Sequence, residues 1–249
     1  MFRGAGTVLN MAAVLVGSGL GVALRGRLPE RTRSTVTDAL GLVTLVIGGL
    51  NVLALADPEL RAAVGDEAPL LIVLGALLLG GIAGSLLSLE VRLEGTGAWL
   101  QRRLTRQGGG EARERFVEGY VTASLVFVVG PLTVLGSLAD GLGRGIEQLA
   151  LKSVLDGFAS LAFAASLGWG VAAAALSVGV VQGLLTLGGA LLGGLLPAAP
   201  VAGLTATGGV LLLGVGVRLL GLKPVPVADL LPALVAAPLL VAVVTAVRG

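Results

Sequence analysis

Long apolar runs recur along this chain, and their length limits the folds that it can adopt. A helix needs about 20 mostly apolar residues to cross the hydrocarbon core of a bilayer. Eight runs approach or reach this length, and they cover about Ala5–Leu24, Thr37–Ala56, Pro69–Leu89, Phe116–Leu138, Lys152–Leu167, Gly170–Leu196, Val201–Leu220 and Ala228–Val247. Backbone groups inside a bilayer must be paired within the protein, and a helix pairs them locally. The runs therefore predict an all-α integral membrane protein with about eight transmembrane helices in a single domain, residues 1–249.

The remaining composition narrows the function classes. Charged residues make up 13% of the 249 residues, about half the share of soluble domains, so most of the surface is expected to face a lipid bilayer. A net charge of +2 gives no reason to expect nucleic acid as a partner. The chain has no Cys and no His, so we predict no cofactor and no metal site. It also lacks a recognised nucleophile motif, so we predict that it is not an enzyme.

The distribution of charges predicts how the chain crosses the membrane. Lysine and arginine concentrate in cytoplasmic loops. Basic residues collect in 25–33, in 90–115 and at Arg218 and Lys223, whereas the loop 57–67 is acidic. The three basic segments fall on one side only if the chain has eight spans and both termini lie outside. The count of apolar runs and the charge pattern therefore agree.

The basic segment 90–115 also has an amphipathic pattern. Val91, Leu93 and Trp99 alternate with arginines, as in helices that lie on a membrane surface and bind anionic lipid. We predict a cytoplasmic amphipathic linker, with a regulatory role as the alternative.

Two parts of the chain resemble each other. Residues 41–55 align with 208–222, and Asn10 aligns with Gln182, each amide being followed by a G-x-x-x-G pair. An offset of five spans reverses orientation, so this pattern predicts an inverted repeat, as in many transporters; chance similarity of Gly- and Leu-rich helices is the alternative. The predicted organisation is a first three-helix repeat at 5–89, the linker at 90–115, a central helix pair at 116–168 and a second three-helix repeat at 170–247.

Small residues repeat at the spacing that lets membrane helices approach closely. The glycine pairs are Gly17/Gly21, Gly80/Gly84 and Gly189/Gly193. They are compatible with packing inside the chain and with a homo-oligomer, and the sequence leaves both open.

Polar groups inside a bilayer are costly and mark functional sites. Lys152 and Asp156 share a helix face and predict a neutralised pair beside a second carboxylate, Asp140; an ion pair that anchors a helix end is the alternative. The Gly130-Pro131 step predicts a broken or re-entrant helix whose freed backbone groups bind an ion, with a simple kink as the alternative. The predicted pathway residues are Asp156, Asp140, Lys152, Ser153, Gly130, Pro131, Thr133, Ser137, Asn10 and Gln182.

Two groups among these residues have further alternatives. Four hydroxyl groups are suitable ligands for a hard cation, but hydroxyls also bond back to their own helix. They belong to Thr133, Ser137, Ser153 and Ser160. The amides Asn10 and Gln182 would pair with each other across the repeat axis or with a solute.

Four motifs together resemble a known family. They are Gly6-Thr7-x-x-Asn10, Phe127-Val-Val-Gly130-Pro131-Leu-Thr-Val-Leu-Gly136-Ser137-Leu-x-Asp140-Gly141, Lys152-Ser153-x-Leu155-Asp156-Gly157 and Gln182-Gly183-x-x-Thr186-Leu187. This set resembles the YqgA/YdfK-like family of bacterial multi-pass inner-membrane proteins, a domain of unknown function. The resemblance implies a location in the bacterial inner membrane and suggests transport, but it implies no substrate and no site residues.

We therefore predict membrane transport of a small ion or small polar solute, by a cation- or proton-coupled secondary transporter. Its pathway would lie at the repeat interface and the central broken helices. An oligomeric ion channel is the first alternative and a membrane scaffold without transport is the second. The expected partners are the lipid bilayer, the solute and a second copy of the chain.

Overall fold

The computed structural model of the chain describes residues 2–25, 29–104, 110–128, 131–192 and 197–248. These residues form α-helices, two 3-10 turns (Leu53–Ala56 and Val227–Leu230) and short connections, without a β-strand. The helices in these ranges are α1 (Ala5–Arg25), α2 (Glu30–Val52), α3 (Pro58–Val64), α4 (Ala68–Leu86), α5 (Leu89–Leu104), α6 (Glu111–Val128), α7 (Pro131–Gly141), α8 (Glu147–Leu167), α9 (Gly170–Leu192), α10 (Ala198–Leu219) and α11 (Ala233–Arg248).

Helix length and exposure confirm the all-α membrane class. Six helices in the described ranges are long and apolar enough to cross a membrane, and the number rises to eight if each of two bent pairs is one span. Large apolar side chains such as Leu86, Leu191 and Val247 are more than 70% exposed, as expected for residues that contact lipid. The chain is therefore a membrane protein with several apolar helices.

Both bent pairs coincide with prolines. The end of α2 and its 3-10 turn meet α3 at 48°, and α6 meets α7 at 77°. Pro58 and Pro131 are the first residues of α3 and α7, a position that suits proline because its missing N–H has no partner there. The predicted break at Gly130-Pro131 thus lies where α6 ends and α7 begins, although Gly130 itself is outside the described residues.

The fifth span differs from its prediction. The apolar run indicated a short span from Lys152, but α8 begins five residues earlier, at Glu147, and has 21 residues. Two features extend the helix into this polar segment. Glu147 lies in its first turn, where an acid interacts favourably with the helix dipole, and Leu149 is fully buried. Asp156 is therefore near the middle of α8.

The chain divides into two compact units. Unit 1 comprises Met1–Leu40 and Leu93–Gly194, and unit 2 comprises Gly41–Arg92 and Leu195–Gly249. Each unit combines helices from both predicted repeats, because α1 and α9 lie in unit 1 while α4, α10 and α11 lie in unit 2.

Unit 1 is built on a close parallel contact between α1 and α8. A Cβ atom at Gly17 would collide with the carbonyl oxygen of Gly157, and one at Gly21 with that of Leu161. The backbones can approach this closely only because glycine has no side chain. On the other side of α1, α9 runs antiparallel, with Thr7 beside Thr186 and Met11 against Gly179.

Unit 2 is held by antiparallel pairs of helices. Gly80 lies against Ala233 and Gly84 against Asp229, which pairs α4 with the segment leading into α11. Gly48 of α2 lies against Gly209 of α10. The pairs Gly17/Gly21 and Gly80/Gly84 therefore serve packing inside the chain. Of the third predicted pair, Gly189 lies against Leu138 and Gly193 is outside the described residues. A homo-oligomer stays a prediction.

The predicted linker 90–115 contains α5 and the start of α6. Its first residues are anchored in unit 2. Glu90 forms an ion pair with Arg218 and accepts a 2.8 Å hydrogen bond from the amide of Ala228, while its own amide donates to Asp229 at 2.8 Å.

Candidate functional site

Buried polar side chains concentrate in unit 1. In the described part of unit 2 the buried polar side chains are the two threonines Thr44 and Thr207. Five helices of unit 1 bury a larger set, namely Thr7, Asn10 and Ser18 on α1, Thr122 and Ser124 on α6, Thr133, Ser137 and Asp140 on α7, Lys152, Ser153, Asp156, Ser160 and Ser166 on α8, and Gln182 and Thr186 on α9. A functional site is therefore best sought inside unit 1.

The centre of this set is an ion pair. The Nζ atom of Lys152 lies 2.9 Å from Oδ2 of Asp156 and donates to Oδ1 at 3.1 Å. Both residues are 6% exposed. The carboxylate also accepts a 2.9 Å hydrogen bond from the amide Nδ2 of Asn10. Asp156 thus joins α8 to α1 inside the helix bundle, near the middle of α8.

Asp140 has a different environment. Its two carboxylate oxygens accept 3.0 Å hydrogen bonds from the backbone amides of Gly4 and Gly6, and the residue is 2% exposed. These amides belong to the N-terminal end of α1, whose free N–H groups and positive dipole end attract a carboxylate. We assign Asp140 a capping role, whereas the sequence suggested a second pathway carboxylate.

This role leads to a stability prediction. Asp140→Ala leaves the buried amide of Gly6 and the partly buried amide of Gly4 without an acceptor, so we expect a loss of about 2 kcal/mol. The control is Asp57→Ala, because Asp57 caps α3 in the same way through the amides of Glu59 and Leu60 but is only partly buried, so its loss should be about 1 kcal/mol or less. Thermal unfolding of the purified variants measures both. Equal losses would contradict the assignment of a buried cap.

The side-chain amides of Asn10 and Gln182 lie at the same level of the helix bundle. The contacts of Thr7 with Thr186 and of Met11 with Gly179 bracket Asn10 on α1 and Gln182 on α9. They do not form the predicted pair with each other, since Asn10 donates to Asp156. Both side-chain polar atoms of Gln182 are buried without a hydrogen-bond partner in the described part of the protein.

The hydroxyl groups separate into two kinds. Ser153 donates to the carbonyl of Leu149 at 2.6 Å and Thr133 to that of Phe127 at 3.2 Å, so both are used by the backbone. The hydroxyls of Ser18, Ser137 and Ser160 are buried and have no partner among the described residues. Pro131 begins α7, and its side chain is not described.

We use the name polar cluster for the buried residues of unit 1 that form the Asp156 network or carry an unpaired polar atom: Asn10, Ser18, Ser137, Lys152, Asp156, Ser160 and Gln182. Its Ser160 was predicted from the sequence as a ligand for a hard cation, whereas Ser18 was not. Helical spacing is the signal that identifies Ser18, because it follows Asn10 by eight residues.

The polar cluster contains buried polar atoms that have no hydrogen-bond partner. Six buried atoms make no hydrogen bond within the described chain, and these are Asn10 Oδ1, Ser18 Oγ, Ser137 Oγ, Ser160 Oγ, Gln182 Nε2 and Gln182 Oε1. Leaving a buried polar atom unpaired costs about 1–3 kcal/mol, so such atoms in a folded protein call for a partner. The arrangement suits a small polar or charged ligand beside a carboxylate.

Comparison with other proteins agrees with the resemblance predicted from the motifs. Residues 5–242 match the sequence profile of a family described as "Protein of unknown function (DUF554)". The chain is 34% identical over 232 residues to "Uncharacterized protein YqgA" of Escherichia coli strain K12, covering 93% of this chain and 94% of that protein.

A second relative comes from another bacterium. The chain is 27% identical over 241 residues to "Uncharacterized membrane protein YdfK" of Bacillus subtilis strain 168, covering 97% of each. No solved structure matches the chain. Since the family profile covers nearly all of the sequence, the protein belongs to the DUF554 family.

Proposed function

We propose that the protein transports a small ion or small polar solute across the bacterial inner membrane, as a cation- or proton-coupled secondary transporter whose pathway passes through the polar cluster of unit 1. The observation that carries this proposal is the buried Asn10–Asp156–Lys152 network, together with six buried polar atoms of unit 1 that have no partners in the described chain. Ionisable residues inside membrane bundles are costly and commonly line solute or ion routes.

Stability alone is a weak reason for such a network. A buried ion pair is often no more stabilising than apolar residues of the same volume. Unit 2 illustrates the alternative, because its described core is apolar apart from two threonines. A scaffold would have no use for additional unpaired groups in only one unit, and this contrast favours transport over a purely structural role.

Burial also favours a carrier over an open channel. Lys152, Asp156 and Gln182 are 6%, 6% and 0% exposed. A pore that conducts in this conformation would wet these side chains. A carrier binds its solute in a closed site and opens it alternately to the two sides of the membrane.

The packing within each unit supports an inverted repeat as the basis of this motion. Helices at equivalent positions of the two predicted repeats pack antiparallel, α1 with α9 in unit 1, and α2 with α10 and α4 with α11 in unit 2. The parallel contact of α1 with α8 agrees with their being the first and fifth spans, since odd-numbered spans cross a membrane in the same direction.

Flux through reconstituted vesicles tests the proposal. We expect purified protein in proteoliposomes to show saturable uptake in an ion or proton gradient. We expect Asp156→Asn to lower this uptake at least about tenfold because the network loses its carboxylate and keeps the ammonium of Lys152. Ser153→Ala is the matched control on the same helix, since its hydroxyl is already bonded to its own backbone. Uptake unchanged in Asp156→Asn would remove the polar cluster from the pathway, and flux that does not saturate would favour the channel.

A further inference from the structure

We propose that Asp156 binds a monovalent alkali cation and that Lys152 occupies this carboxylate as a built-in competitor when the cation is absent. The inference rests on the proposed transport function and names the class of its ion. The state described by the structure is the one in which the ammonium group holds the site.

The unpaired buried atoms of unit 1 are mostly of the kind that a hard cation prefers. Five of the six unpaired buried atoms are oxygens, and oxygen atoms of carboxylates, amides and hydroxyls are the usual ligands of hard cations. Asn10 Oδ1 belongs to the amide that already donates to Asp156. Ser160 lies one turn further along α8 and faces α1, since its Cβ is 3.2 Å from the position that a Cβ at Gly17 would take.

The charges point to a monovalent ion. The buried charged groups in the described part of unit 1 are Asp140, Lys152 and Asp156, and Asp140 is committed to the amides of α1. One ammonium is thus exchangeable for one cation at Asp156, and this exchange leaves the site neutral. A divalent ion would leave an excess positive charge in apolar surroundings, which is costly.

The same contacts disfavour an anion. The N-terminus of α1 is the natural place for an anion in this bundle, but the carboxylate of Asp140 already accepts from its amides. The ammonium of Lys152 is within 3.1 Å of both oxygens of Asp156, so an anion would have to displace a bound carboxylate.

Lys152 has a way out of the site. It precedes Asp156 by four residues, so its backbone lies about 6 Å nearer the N-terminal end of α8. A lysine side chain is long and flexible, and it can carry its charge toward water while its backbone stays in place. Displacement by a cation therefore needs no movement of α8 itself.

Cation-dependent thermal stability of the purified full-length protein tests this exchange. Choline chloride is replaced stepwise by NaCl, KCl or LiCl at constant ionic strength, with MgCl₂ and sodium gluconate as further arms. A cation that binds the folded state raises the unfolding temperature in a saturable way. We expect such a shift with Na⁺ or K⁺ in the wild type and none in Asp156→Asn.

Three further variants separate the exchange from a structural ion pair. Lys152→Gln should lower the half-saturating concentration at least about tenfold, because the competing charge is gone. Ser160→Ala should raise it several-fold, while Ser153→Ala should leave it unchanged because that hydroxyl is bonded to Leu149.

The cation proposal is overturned if the shift follows chloride rather than the cation, if Mg²⁺ is preferred to Na⁺ and K⁺, or if Lys152→Gln binds no more tightly than the wild type. If Lys152→Gln does not fold, the proposal is overturned when Ser160→Ala and Ser153→Ala have the same half-saturating cation concentration. Saturable flux that depends on Asp156 but is the same with and without alkali cations would also overturn the cation proposal while preserving transport. Absence of both flux and cation-dependent stabilisation in the wild type removes both proposals.

Discussion

Gly17→Val should prevent normal folding of unit 1, or lower its unfolding temperature by more than about 10 °C. Even a single Cβ atom at this position would collide with the carbonyl oxygen of Gly157, and it would lie only 3.2 Å from the Cβ of Ser160. The obstacle is backbone, which cannot rotate away as a side chain can. Helices α1 and α8 would have to separate, and the contact of Asn10 with Asp156 would be lost with them.

The matched control is Gly19→Val on the same helix. Nothing lies within 4 Å of a Cβ at Gly19, so the added side chain should enter open space and change the unfolding temperature by no more than about 2 °C. Thermal unfolding and size-exclusion chromatography in detergent measure both variants. Similar losses for the two would mean that valine in α1, rather than the contact with α8, causes the effect.

Lys152→Met should destabilise the protein by about 3–5 kcal/mol in a buffer that contains choline as its only cation. Removing one partner of a buried ion pair leaves the other charge uncompensated, and this is far more costly than losing the whole pair. Asp156→Asn in the Lys152→Met background should therefore recover most of the loss. The four proteins form a double-mutant cycle, whose coupling free energy is measured from chemical or thermal unfolding.

An exposed pair of the same spacing provides the control for this cycle. On α6, Nη2 of Arg115 lies 2.9 Å from Oε2 of Glu111, and these residues are also four positions apart. Their side chains, however, are 39% and 86% exposed. Pairs in water contribute about 0.3–0.5 kcal/mol at this spacing, so Arg115→Met should have a small effect. A comparably small effect of Lys152→Met would show that Asp156 finds another partner or takes up a proton when the ammonium is removed.

Part of the candidate site could be predicted from the sequence because polar residues are rare in apolar runs. Lys152, Asp156, Asn10 and Gln182 stood out for this reason, and the structure buries all four in unit 1. Their partners were less predictable. Asn10 donates to Asp156 rather than pairing with Gln182, since the register between α1 and α8 depends on contacts 140 or more residues apart, which no local pattern encodes.

The hydroxyl groups show the same limit. Ser137 and Ser153 occupy similar positions in two Ser-x-x-Asp-Gly motifs. Ser153 bonds to its own helix, whereas Ser137 has no partner in the described chain. A serine in a helix has both options at similar energy, so only its neighbours in the bundle decide between them.

The sequence by itself determined the all-helical membrane class, the location of most apolar helices, the break near Pro131 and the family. Each of these follows from properties local to the chain, namely run length, proline and motif spacing. Only the tertiary structure decided that Asp140 caps α1, that α8 begins at Glu147, and that the glycines of α1 pack inside the chain. These features depend on which distant helix supplies an N–H group, a buried contact or a close backbone, and that choice is made by packing.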